Sequence, residues 1–167
     1  LDNFEKETVQ IIVRYLEKKN ISEISFFNLA ELLKIASVLG MAELQQQLEE
    51  YLKDSVKKPD DLTSLMQTLL ILSLTTVSTS TENVILVAAA GRFLELTKAE
   101  NFQVLPFRVF SALLGRCDLN VKTELEIADV ILLWLAGQHN STTYTPACFS
   151  FVRSHLLHPA EKAVILE

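Results

Sequence analysis

Apolar residues recur at three- and four-residue steps along most of the chain, with charged positions between them. That period predicts helices. Phe4, Thr8, Ile11, Ile12, Tyr15 and Leu16 mark the first, which ends near Lys18–Asn20. Ile21–Ile24 is short and compatible with extended backbone. Ser25 then stands before Phe26, Leu29, Leu32, Leu33, Ala36 and Leu39, and Gly40 comes next. A capping Ser ahead and a Gly behind bracket a second helix. Met41 to Lys53 predicts a third, with Leu44, Leu48, Tyr51 and Leu52 inward and Gln45, Gln47, Glu49 and Glu50 outward. So short a separator predicts an antiparallel hairpin of the second and third helices.

Lys57–Lys58–Pro59–Asp60–Asp61 is the clearest breaker, and either Asp60 or Asp61 can cap the next helix. A module boundary is expected there. Leu62, Leu65, Met66, Leu69 and Leu70 open a fourth helix, and the Ser/Thr-rich run Ser73–Thr81 predicts a loop or frayed end. Glu82 to Leu96 predicts a fifth helix with Val84, Val87, Ala88 and Phe93 along its apolar line. Ala88–Gly91 would let another helix approach closely. Thr97–Glu100 has capping-box spacing before a turn at Phe102, and Pro106 fits the first turn of a sixth helix through Val109, Phe110, Leu113 and Leu114. After a loop at Gly115–Val121, Thr123 and Glu126 form a second capping box. The helix they open runs to Gly137 and puts Ile127, Val130 and Trp134 on one face. Gln138–Tyr144 reads as a polar loop, and Pro146 as the start of an eighth helix with Phe149, Phe151, Val152 and Leu156. Pro159 can begin a last turn. Nothing reads as sheet. The predicted fold is all-α, built from antiparallel helix pairs.

Composition supports this and narrows the function. The chain has 167 residues, 49% of them hydrophobic, with only 4 Gly and 4 Pro. A chain so apolar is no disordered tail, and one so poor in turn residues is no sandwich or barrel. A net charge of −6, with basic residues scattered, argues against nucleic acid. Two cysteines are too few for a disulfide scaffold. The most apolar run, Leu62–Val77, is too short for a bilayer and carries Thr63, Ser64, Gln67 and Thr68, so no membrane partner is expected. An opening at Leu1, without methionine or leader, is expected of a fragment of something longer.

Candidate chemistry is sparse. His155 and His158 have the i, i+3 spacing of helical metal ligands, but no further ligand recurs at a fitting distance except Glu161. They read better as exposed groups at a helix end. Cys117, beside Arg116, and Cys148 read as unreactive thiols without a positioned base. No phosphate loop exists among four scattered glycines, and the tripeptides at Asn20 and Asn140 match a glycosylation pattern that is common by chance. No enzyme activity, metal or cofactor is expected.

One ordered set of residues resembles a known family. Phe93-Leu94-Glu95-Leu96 through Phe102-Gln103-Val104-Leu105-Pro106, then Leu113-Leu114, Leu119, Val121, Thr123-Glu124 and Trp134, and finally Val152-Arg153 with Leu156-Leu157, is similar to the BACK domain of Kelch-like proteins. Its signature positions here are Phe93, Phe102, Leu105, Leu119, Val121, Glu124 and Trp134. Upstream, Leu32-Leu33-x-x-Ala36-x-x-Leu39-x-Met41-x-x-Leu44 resembles the last helices of a BTB domain. The resemblance implies BTB helices over 1–54 and a BACK domain over 55–167. It implies that the dimer-forming front half of the BTB domain lies before Leu1. It departs from the family in the Thr/Ser content of 72–81. It further implies a non-catalytic adaptor of a cullin-3 RING ubiquitin ligase, cytoplasmic or nuclear, that binds the cullin N-terminal region. Substrate would be bound through another domain. The family's cullin groove would map to Leu62, Leu65, Met66 and Leu69, for which ordinary core packing is the favoured reading. A scaffold of the same family without ligase function, whether cytoskeletal, transcription-linked or secreted, is the alternative.

Overall fold

The computed structural model describes residues 4–18, 21, 24–57 and 61–166, and among them it contains helices and no strand. In chain order the helices are α1 (Lys6–Lys18), α2 (Phe26–Val38), α3 (Ala42–Ser55), α4 (Leu62–Leu74), α5 (Thr79–Gly91), α6 (Phe93–Leu96), α7 (Phe107–Leu114), α8 (Glu124–Ala136), α9 (Ser141–Phe149) and α10 (Pro159–Leu166). Single 3-10 turns lie at Phe102–Val104 and Ser154–Leu156. Expectations for Lys58–Asp60, and for the tripeptide at Asn20, fall outside the described residues.

Local signals hold where they act alone. Gly40 has φ +64°, its N–H donates to the Ser37 carbonyl at 3.2 Å and that of Met41 to Ala36 at 2.8 Å. This pair of bonds closes α2 and turns the chain directly into α3. Asp61 caps α4 by accepting the Ser64 N–H at 2.8 Å. The Thr123 hydroxyl accepts the Glu126 N–H at 3.2 Å, and the Glu126 carboxylate reaches back to the Thr123 N–H at 3.3 Å, which is the predicted box. At the other end of the chain, Glu31 of α2 holds the start of α1 through the Glu5 N–H and the Thr8 hydroxyl.

Several expectations are corrected. The 73–81 loop shrinks to Thr75–Ser78, because Ser78 caps α5 and Thr79–Thr81 enter the helix. α5 buries Thr81, Ile85, Leu86, Ala89 and Ala90, leaving Val87 exposed, and it ends at Gly91 instead of continuing to Leu96. The segment that reaches its Ala90–Gly91 end is a loop, not a helix: Asn120 donates to both carbonyls, at 2.9 and 3.0 Å. Thr97 opens no capping box; its hydroxyl donates backward to the Leu94 carbonyl at 2.8 Å. Pro106 is the cap before α7 rather than its first residue. α9 begins at Ser141, so Pro146 sits inside it and the 138–144 loop is reduced. Tertiary packing overrides the proline there, because Tyr144 stacks on Phe107 at 4.9 Å. His158 precedes α10, so it stands at a helix start instead of a helix C-terminal end.

One cluster of buried side chains runs from Ile11 in α1 to Cys148 in α9. α2 packs on α3 and α4, α3 on α5, and α7 on α4 and α5. The first three helices therefore share a core with the later ones. The second half is anchored by aromatics. Trp134, fully buried, stacks on Phe110 at 4.6 Å and donates its indole N–H to the Leu105 carbonyl at 2.8 Å.

Candidate docking surface

The four residues singled out on α4 divide unevenly. Leu65, Met66 and Leu69 are 2%, 3% and 0% exposed, while Leu62 is partly exposed. α4 lies against α2, α3, α5 and α7, so its apolar stripe is used up inside the chain. Of the signature residues, Phe93, Phe102, Leu105, Glu124 and Trp134 are buried, and Leu119 and Val121 pack partly buried against the core.

What α4 contributes to the surface is its C-terminal end. A cavity of about 480 Å3 lies between the outer face of α2 and the last turn of α4 with its outgoing loop. Lys34, Ser37 and Val38 line one side, and Leu74 to Val77 the other. Val38 and Leu74 are exposed apolar groups, and Lys34 is an exposed cation beside them. At one end Arg108 of α7 donates to the Leu72 carbonyl at 2.5 Å and pairs with Glu82 of α5 at 3.2 Å, tying three helices together. An opening lined by aliphatic groups, hydroxyls and charged side chains suits an extended peptide segment.

Two buried carboxylates support this surface and the region behind it. Glu49 of α3, read from the sequence as outward, is 6% exposed. It accepts the Ser78 N–H at 3.0 Å, the Ser78 hydroxyl, the Thr81 hydroxyl at 2.6 Å and the Gln45 side-chain amide at 3.2 Å. Burial pushes its carboxyl up, yet these hydrogen bonds prevail and hold it below the ordinary glutamate range. The signal that would have found it is the Ser78-x-x-Thr81 pair, two hydroxyls at a helix start, for which a carboxylate is a fitting acceptor. Glu124 at the start of α8 is also 6% exposed; it accepts the Arg153 backbone N–H at 3.0 Å and its guanidinium at 2.6 Å.

The remaining reactive candidates stay apart. Arg116 is engaged by Asp118 in a two-pronged pair at 2.7 Å and by Asn83, and the neighbouring Cys117 is exposed with no positioned base among these contacts. Cys148 is fully buried, and burial pushes its thiol up, away from the reactive thiolate. No group of three or more His, Cys, Asp or Glu side chains among the described residues could hold a metal ion. No helix among them is long and apolar enough to cross a membrane.

Comparison with known proteins agrees with the resemblance. Residues 64–164, more than half of the chain, match the family described as BACK, BTB And C-terminal Kelch. Kelch-like protein 8 of Caenorhabditis elegans is 26% identical over 158 residues, covering 94% of this chain. The matched region is 22% of that protein's length, so the chain spans about a fifth of this relative. The family match extends from α4 into α10, over the helices whose core is built on Phe93, Phe102, Leu105 and Trp134, and the chain belongs to the BACK family.

Proposed function

We propose that this chain is the non-catalytic adaptor and spacer part of a cullin-3 RING ubiquitin ligase substrate receptor. Residues 1–54 would be the end of a BTB domain and 55–167 the BACK domain. Substrate would bind elsewhere in the protein, a BTB front half would bring two copies together, and the site of action would be the cytoplasm or nucleus. The observation that carries this reading is the match to a Kelch-like protein over 94% of the chain, which extends the likeness from the BACK helices back across α1–α3. The shared core of α1–α9 supports it physically. A spacer that holds two bound proteins at a set distance raises the effective concentration of one near the other.

On this reading the N-terminal segment of cullin-3 docks in the cavity between α2 and the α4–α5 loop. Val38 and Leu74 supply the apolar contacts, and Leu65, Met66 and Leu69 keep α4 in place from inside. Calorimetry of the full-length protein with the cullin-3 N-terminal region tests it. The expected result is saturable heat with a dissociation constant of about 1 μM or tighter, weakened at least tenfold, to about 10 μM, by Val38→Asp with Leu74→Asp while the helical melt is unchanged. No heat at about 50 μM rejects the adaptor reading.

A further inference from the structure

The wall of the cavity formed by Thr75–Val77 belongs to a four-residue loop between α4 and α5, of which Val77 packs partly buried against the core. Its first end is held locally, since the Thr75 N–H and hydroxyl both donate to the Ile71 carbonyl, at 3.1 and 3.2 Å. Its far end is held from a distance. Ser78 gives both its backbone N–H and its hydroxyl to Glu49, which lies 29 residues earlier on α3 and does not line the cavity. Thr81, one turn into α5, gives its hydroxyl to the same carboxylate at 2.6 Å. Glu49 thus grips the loop from the core side while the cavity opens on the other.

Burying a carboxylate among hydroxyls and amides is a poor way to gain stability, because an apolar side chain of similar volume often does as well. What a carboxylate adds is direction. Its two oxygens accept along fixed lines, so the Ser78 peptide plane and the start of α5 are set together. We propose that Glu49 is a positioning residue, which acts through Ser78 to hold the α4–α5 loop in the shape a partner segment meets. The identity of that partner, the cullin-3 N-terminal segment, rests on the proposed adaptor role; the hold on the loop does not.

The test uses the full-length protein with Glu49→Gln, which keeps size and loses the charge. Ser78→Ala, which keeps the backbone bond and loses the hydroxyl, takes its place if the first variant does not fold. Amide hydrogen exchange at residues 75–78 and calorimetry with the cullin-3 N-terminal region are read well below the helical melting temperature. Expected are exchange faster by about tenfold in the loop and affinity weaker by about tenfold for Glu49→Gln, with smaller changes of the same sign for Ser78→Ala. Exchange unchanged in the loop overturns the proposal, whether or not the wild-type protein binds cullin. Faster exchange with unchanged affinity overturns it too, while leaving the adaptor reading intact. No heat from the wild-type protein rejects the adaptor reading and cullin-3 as the partner; the exchange measurement then decides Glu49's hold on the loop by itself.

Discussion

The two halves of the chain are joined to their surroundings by buried glutamates that work in opposite ways. Glu49, between α3 and α5, is surrounded by neutral donors inside the first half, where the core is mostly leucine and isoleucine. Glu124, at the start of α8, faces an arginine whose side chain is 60% exposed, next to an aromatic core. An interior carboxylate with neutral donors depends on every one of them, because no counter-ion offsets its desolvation. One paired with a half-exposed arginine keeps water as a reserve donor. Removing a partner should therefore matter more in the first half, whereas removing an aromatic should matter more in the second.

The largest effect tests the aromatic side of that contrast. Trp134→Ala removes a fully buried ring in contact with Phe110, Phe107 and Tyr144 and strands the Leu105 carbonyl. It should lower the unfolding free energy by about 3–5 kcal/mol, read by urea denaturation. A loss under about 1.5 kcal/mol would mean that the aromatic cluster is not the anchor of the second half.

Glu49→Ala comes next, at about 2–3 kcal/mol, because the Ser78 N–H and the Thr81 hydroxyl lose their acceptor. The charge also gives a pH signature. The folded carboxyl lies below the unfolded value of about 4.3, so the stabilisation is complete above that pH and is lost as pH falls below it. Wild-type and Glu49→Ala melting temperatures should converge in that acid range; a constant gap would show that the charge is irrelevant. Arg153→Ala is smaller, about 1 kcal/mol, since Glu124 keeps the backbone N–H of residue 153 and the lost pair is half in water. If it equalled Glu49→Ala, the contrast between the two glutamates would fail. Phe27→Ser, at a side chain 96% exposed, should change stability by less than about 0.5 kcal/mol in thermal melts.

Much of the fold was legible because helix periodicity and caps act within a few residues. Gly40, Asp61 and the Thr123–Glu126 box needed no knowledge of the rest of the chain to do what they do. The α5 region is hard to read from sequence for the opposite reason. Its Ser/Thr run looks like loop because those side chains compete for backbone bonds, yet Ser78 caps α5 by accepting the Thr81 N–H, and Glu49 accepts the hydroxyls of both. The same absence of an outside partner made Glu49 look like a surface residue on α3. Pro146 misled similarly, since its local preference to start a helix was outweighed by Tyr144 packing on Phe107 and Trp134. The candidate groove residues on α4 were visible as an apolar stripe. A stripe, however, gives no sign of whether its cover is the chain itself or a partner.

Sequence alone thus determined the all-α class, the positions of most helices, the buried stripe through Ile127, Val130 and Trp134, and the family to which Phe93–Pro106 belongs. The tertiary structure decided which face of α5 is buried, that Leu65, Met66 and Leu69 serve the core, and that Val38 and Leu74 border the opening. It also decided that Glu49 is interior. The division follows the range of the forces. Helix geometry and capping are settled by neighbours three or four residues away, but a buried carboxylate is stable only where donors from a segment 29 to 32 residues along converge on it, and that meeting exists only in the folded chain.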